Sequence, residues 1–184
     1  MTILPLLSLL ALSFAAAAYP EGPCADPVVV GSATTVQVGD AQVLMSSFSC
    51  PSESEPKKRG TLTARAPRDV CGEPCTIVSC LDIGTSPSGS DCAIIADAMD
   101  ILAADLGSTY ALNASNGYYK QLVFGTCLTY IGVSAEEDTT ACWSDWSSII
   151  GQLLNACPES PIGACTSFPP DITWADFSME IRHS

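Results

Sequence analysis

Ser90-Asp91-Cys92-Ala93-Ile94-Ile95-Ala96-Asp97-Ala98-Met99-Asp100-Ile101-Leu102 is the stretch on which the fold turns. Ile94, Ile95, Ala98, Ile101 and Leu102 recur at helical spacing and make one apolar face. Asp97, Asp100 and Asp105 fall on the other. Ser90 reads as the N-cap and Asp91 as a first-turn carboxylate, both suited to unpaired N–H groups. Gly107 supplies the stop. A second helix is predicted from Thr139 or Thr140, after the acidic Glu136-Glu137-Asp138. It carries Trp143, Trp146, Ile149, Ile150, Leu153, Leu154 and Cys157 along one stripe, and Pro158 ends it. Gly151 inside it costs about 1 kcal/mol relative to Ala.

Strand signals surround these helices. Thr109-Tyr110-Ala111-Leu112 is short, and residues 118–133 are aromatic and β-branched, with a bend or bulge expected at Gly125. Trp174, Phe177, Met179 and Ile181 mark a last strand with partial alternation. Helix, strands, helix, strand is the order of an α+β fold, with two helices packed on a small antiparallel β-sheet. Upstream, Val28-Val29-Val30, Thr35-Val36-Gln37-Val38 and Gln42-Val43-Leu44-Met45 also favour strands. By itself that segment is too small for a sizeable core.

Residues 1–18 read as a secretory signal peptide. Their apolar run is short of the roughly 20 residues that span a bilayer, and it closes on small residues ending at Ala18. No Lys or Arg precedes the run, so the amino terminus alone supplies its positive charge. The expected organisation continues with a Val-rich N-terminal segment at 19–59, a candidate propeptide. A linker at 60–69 and a disulfide-stapled domain at 70–184 follow. Pro51-Ser52-Glu53-Ser54-Glu55-Pro56 is too polar to order itself. It leads to Lys57-Lys58-Arg59, a basic triplet that marks Arg59 as a processing position.

Export makes the cysteines legible as a disulfide framework. Cys24 and Cys50 lie before the triplet and read as a pair. Cys71, Cys75, Cys80, Cys92, Cys127, Cys142, Cys157 and Cys165 lie after it. Eight cysteines allow 105 pairings, and spacing selects none of them. Cys92, Cys142 and Cys157 are expected to tie the helices to strands or loops. The spacings of Cys71, Cys75 and Cys80 do not repeat downstream as a zinc site needs, so no metal and no cofactor are expected.

The 184 residues carry 7 Lys and Arg against 20 Asp and Glu, for a formal charge of −13. Phosphate backbones bind through clustered cations, which excludes a nucleic-acid partner. The single histidine, His183, is the second-last residue, which removes most His-based catalytic and metal arrangements. No stretch after the leader is apolar enough to span a membrane.

The run Cys71-Gly72-Glu73-Pro74-Cys75, then Cys80, then Asp91-Cys92 with Ile95-Ala96-Asp97-Ala98, resembles the start of the Y-three-like glycan-binding domain of mushroom secreted proteins. Thr126-Cys127, Cys142 before Asp145-Trp146, Cys157, Cys165 and a closing strand ending His183-Ser184 continue the resemblance. It covers residues 70–184, and the segment ending Ser49-Cys50-Pro51 is similar to one that precedes this domain in some members. The resemblance implies a secreted, disulfide-rich sandwich that binds a glycan or glycoprotein and is not an enzyme. The same order of elements also resembles killer-toxin-like fungal effectors, which act on other cells. The Asp145-Trp146 pair and the His183-Ser184 ending favour the glycan-binding family.

Sugars stack their apolar C–H faces on aromatic rings and hydrogen-bond at the edge. Tyr118 and Tyr119 follow the loop-like Asn113-Ala114-Ser115-Asn116-Gly117. Strand neighbours face opposite ways, so one of them is a stacking candidate while the other packs inward. Trp174, after Pro169-Pro170-Asp171, is the third candidate. Trp143 and Trp146 belong to the helical stripe and read as core. Asn113 opens an N-glycosylation sequon, which suits a surface loop of a secreted glycoprotein and would crowd the two tyrosines. Hydrolysis needs an acid and a base flanking the bond. No carboxylate pair is framed by aromatic or Arg neighbours in the sequence, so no catalytic residue is assigned.

Overall fold

A computed structural model describes residues 24, 26–50, 66–113, 118–133, 138–167 and 177–184. Ala18, Arg59 and Trp174 lie outside the described residues, as do the leader, the basic triplet and most of the sequon.

The fold is α+β, with two helices and a mostly antiparallel set of strands. Helix α1 (Gly89–Leu106) buries Cys92, Ile95, Ala98, Met99 and Leu102. Helix α2 (Trp143–Ala156) buries Trp143, Trp146, Ile149, Ile150 and Leu153. The two stripes share one spacing: a first residue, then the third, sixth, seventh and tenth after it. That is a single face of a 3.6-residue helix. Both faces pack on each other and on one side of the main sheet. Trp143 and Trp146 are fully buried. At roughly 150–250 Å² per ring, each contributes on the order of 4–6 kcal/mol of gross transfer energy.

Two helix starts differ from expectation. The N-cap of α1 is Ser88, two residues before Ser90, and its side chain makes no cap bond. Asp91 turns away from its own helix to the β-hairpin described below. Helix α2 begins only at Trp143, because Thr139–Cys142 forms a strand first. Thr139 and Thr140 are β-branched and find partners on both sides, which outweighs extending the helix. At the other end of α1 the helix stops at Gly107, which takes φ +97° and ψ 161°, an extended positive-φ conformation open to glycine rather than the left-handed helical cap.

The main sheet has eight strands. Its path runs β1 (Val28–Val29), β3 (Ala41–Ser49), β7 (Tyr119–Phe124), β8 (Cys127–Gly132), β11 (Phe177–His183), β10 (Ile162–Ser167) and β5 (Ile77–Leu81). Strand β2 (Thr34–Val38) also pairs with β3. A small sheet joins β4 (Arg68–Asp69), β9 (Thr139–Cys142) and β6 (Thr109–Leu112), with β4 parallel to β9. The stretch 118–133 is two strands rather than one bent strand. Gly125 and Thr126 form the two-residue turn between them, with φ +53° at Gly125. Positive φ at the first turn position alone is the pattern of a II′ hairpin. Strands β5 and β10 carry no sequence expectation. Residues 24–50, expected to be too small for a core, lend three strands to the main sheet and place Val36 and Val43 in the common core.

Five disulfides close the framework. Cys24 pairs with Cys50, Cys71 with Cys142, Cys75 with Cys165, Cys80 with Cys157, and Cys92 with Cys127. Cys92 ties α1 to β8, and Cys157, just past α2, ties that helix to β5, as expected of the helical cysteines. Among the described residues no helix is long and apolar enough to cross a membrane.

Candidate functional site

Strand register sorts side chains onto two faces. On the helix side lie Leu122, Thr129, Met179, Ile181 and Cys165. On the opposite face the pairing lines residues up in rows across the strands. One row runs Phe48, Tyr119, Gly132; the next runs Ser46, Gln121, Tyr130, Glu180; a third runs Val123, Leu128, Arg182, Ile162, Leu81. This second face has its own apolar cluster of Phe48, Tyr119, Leu128 and Tyr130.

Aromatic and charged groups interlock there. Phe48 and Tyr119 stack with centroids 5.0 Å apart, and Tyr130 meets Tyr119 edge-on at 5.9 Å. Gly132 opposite Tyr119 leaves the room, since an added Cβ would come within 3.3 Å of the tyrosine Cβ. The Tyr130 hydroxyl donates to Glu180 Oε2 at 2.6 Å. Arg182 lies 5.7 Å over the Tyr130 ring and pairs with Glu180 Oε1 at 3.5 Å. Burial, the Glu180 hydrogen bond and the Glu180 charge, in that order, push the Tyr130 hydroxyl well above its ordinary pKa, so it stays a donor. Burial raises that of Tyr119, against the opposing charge of Arg182.

Arg182 also reaches the edge of this face. With Ile83, Gly84, Thr85, Pro161, Ile162 and His183 it lines an open groove of about 250 Å³. That is just under the roughly 300–1,000 Å³ of drug-sized ligand clefts, a size for a small ligand or one unit of a larger one. Ile83 is 71% exposed on its rim. Among the described residues no hydrogen bond reaches Arg182 Nε or Nη2, though both atoms are buried. A buried donor left unmatched costs about 1–3 kcal/mol, more when charged. The groove thus sets the apolar Ile83, Pro161 and Ile162 beside the polar Thr85, Arg182 and His183, with the Arg182 guanidinium held from behind by Glu180 and the Tyr130 ring. The His183 ring is held by the Ser184 carbonyl at 2.9 Å from Nδ1.

Tyr118 and Tyr119 face opposite sides, as strand alternation demands. Tyr119 is buried in the second-face cluster, with Phe48 and Tyr130 against its ring. Tyr118 packs against the helix-side core, with the Lys120 ammonium 5.5 Å over its ring. The two do not form one platform. Asn113 follows β6, and its carbonyl accepts from the Tyr118 N–H at 3.2 Å. Glu180 and Arg182 carry no assignment in the sequence reading. The signal was present, because they alternate with Met179 and Ile181 in the last strand. Asp145, next to Trp146, accepts from the Gly72 N–H at 2.6 Å. It lies beside Cys71 and Cys142, but those two sulfurs are bonded to each other and offer no thiolate. A scan against protein-family models finds none that matches this chain, and a search of curated proteins finds no match either.

Proposed function

We propose that this is a secreted carbohydrate-binding protein that holds a glycan without cleaving it, at the groove between Ile83 and Arg182. The observation that carries the reading is the groove itself, where the apolar Ile83, Pro161 and Ile162 stand beside the polar Thr85, Arg182 and His183. A pyranose presents the matching chemistry, an apolar C–H face and a rim of hydroxyl acceptors. Ile83, Pro161 and Ile162 take the face; Arg182, Thr85 and His183 take the hydroxyls. Glu180 holds the guanidinium in place while its Oε2 is occupied by Tyr130, which favours binding over general acid or base work. The resemblance to the Y-three-like domain, with its disulfide-rich sandwich, supports the same reading.

A printed glycan array tests it. Reproducible binding to a related set of structures supports the proposal. A blank array together with toxicity to other cells supports the killer-toxin-like reading instead. Release of reducing sugar from bound oligosaccharides argues for a hydrolase.

A further inference from the structure

The disulfides divide at one point of the chain. Cys24 closes on Cys50, and the other four bridges lie wholly within residues 71–165. Between the two sets the only covalent link is the main chain through residues 51–70. Yet residues 24–50 are deeply built in. Five residues of β3 pair with β7, from Leu44 opposite Val123 to Phe48 opposite Tyr119. Helix α1 packs on both β2 and β3. Val43 is fully buried among core residues of the later segment, with Val36 beside it and Met45 packed against the same cluster. Phe48 stacks on Tyr119. Loss of the segment would open the β7 edge and uncover Leu122 and Tyr119, which an exposed strand edge tolerates poorly.

We infer that residues 24–50 are an internal strand-donating partner rather than a disposable leader: cut at the basic triplet, the protein persists as two chains held together without a covalent bond. Lys57-Lys58-Arg59 is the sequence feature that invites the cut. A dibasic-specific endoprotease there hydrolyses one peptide bond, with water supplying the hydroxyl of the new carboxylate and a proton to the new amine. The product keeps the main sheet because residues 24–50 are attached by their own ladder hydrogen bonds to β7 and by their own buried apolar side chains.

The experiment uses the full chain, and a second version whose triplet is exchanged for the recognition sequence of a site-specific protease, so that cutting goes to completion. After cutting, gel filtration in native buffer should give one peak with both fragments in equal molar amount. A denaturing gel without reductant should then separate them. Val43→Ala in the cut protein should lower the denaturant concentration at which the small fragment leaves, relative to the cut parent. Departure of the small fragment in native buffer, with the large fragment still folded by circular dichroism, would overturn the inference. So would fragments that remain joined on the non-reducing denaturing gel.

Discussion

Asp91 and Thr126 are joined twice. The Thr126 backbone N–H and its hydroxyl both donate to Asp91 Oδ2, at 2.7 and 2.8 Å. The Thr126 hydroxyl in turn accepts from the Ser88 N–H at 2.8 Å. The first turn of α1 is thereby latched to the β7–β8 hairpin, beside the Cys92 to Cys127 bridge. The two Thr126 bonds, the backbone one foremost, hold the Asp91 carboxyl below its ordinary pKa. A depressed folded-state pKa stabilises above the unfolded value, and the effect is lost as pH falls through the folded one. Stability should therefore drop on acidification below about pH 4. Asp91→Asn should remove part of that acid slope and lower the melting temperature at pH 7. Melting curves between pH 2 and 7 check both; parallel curves for parent and variant would show that the latch is not titrating.

The same latch makes Gly125 intolerant. An added Cβ would collide with the Asp91 carboxylate, and the φ of +53° is already strained for any other residue. Gly39 has a similar φ of +56° with nothing within 4 Å. Gly39→Ala should cost the backbone term alone, about 1–2 kcal/mol. Gly125→Ala should cost more, because the clash adds to that term. Urea unfolding of the two variants separates the contributions, and equal losses would contradict the contact.

Two buried aromatic residues should respond in opposite directions. Trp146 Nε1 donates to Thr129 Oγ1 at 3.0 Å across the helix–sheet interface. Trp146→Phe removes that donor and leaves a void, for a loss of about 2–4 kcal/mol. Tyr110 is buried with no hydrogen bond to its hydroxyl among the described residues. Burial and then the charge of Asp145 push its pKa well up. Tyr110→Phe deletes an unmatched hydroxyl, so stability should hold or rise by about 1 kcal/mol. Denaturant midpoints decide; a large loss for Tyr110→Phe would mean that hydroxyl has a partner.

Peptide mapping without reductant should recover the five stated pairs, and any bridge from Cys24 or Cys50 to a later cysteine would contradict the division of the framework. Double replacement of Cys92 and Cys127 by Ala should cost about 2–5 kcal/mol. Both sulfurs are fully buried between α1 and β8, so full reduction should abolish the fold and ligand binding together.

Period and punctuation made both helices legible, because their buried stripes repeat at 3.6 and Gly107 and Pro158 stop them. The even split of cysteines about the basic triplet was legible too, although the pairings were not, since each bridge spans contacts that spacing cannot encode. β10 escaped reading because Gly163-Ala164-Cys165-Thr166-Ser167 offers no large apolar alternation; its small residues fit under α2, where a Cβ at Gly163 would press on Ile181. β5 left a weak signal in Ile77 and Val78 and is exposed along its length. The role of residues 24–50 was hidden because β3 gains its partner more than seventy residues later in the chain. The groove shares that cause: Ile83, Pro161 and Arg182 meet only when β5, β10 and β11 pair. Alternation in β11 did set Glu180 and Arg182 apart from the core.

The most direct measurement is the affinity of the secreted protein and of Arg182→Gln for whichever array glycan binds best. Hydrogen bonds to a charged donor contribute about 1.5–3 kcal/mol, so the variant should bind roughly tenfold or more weakly, with its circular dichroism unchanged. Equal affinity in a folded variant, or no glycan bound by the parent protein, would contradict carbohydrate recognition at this groove.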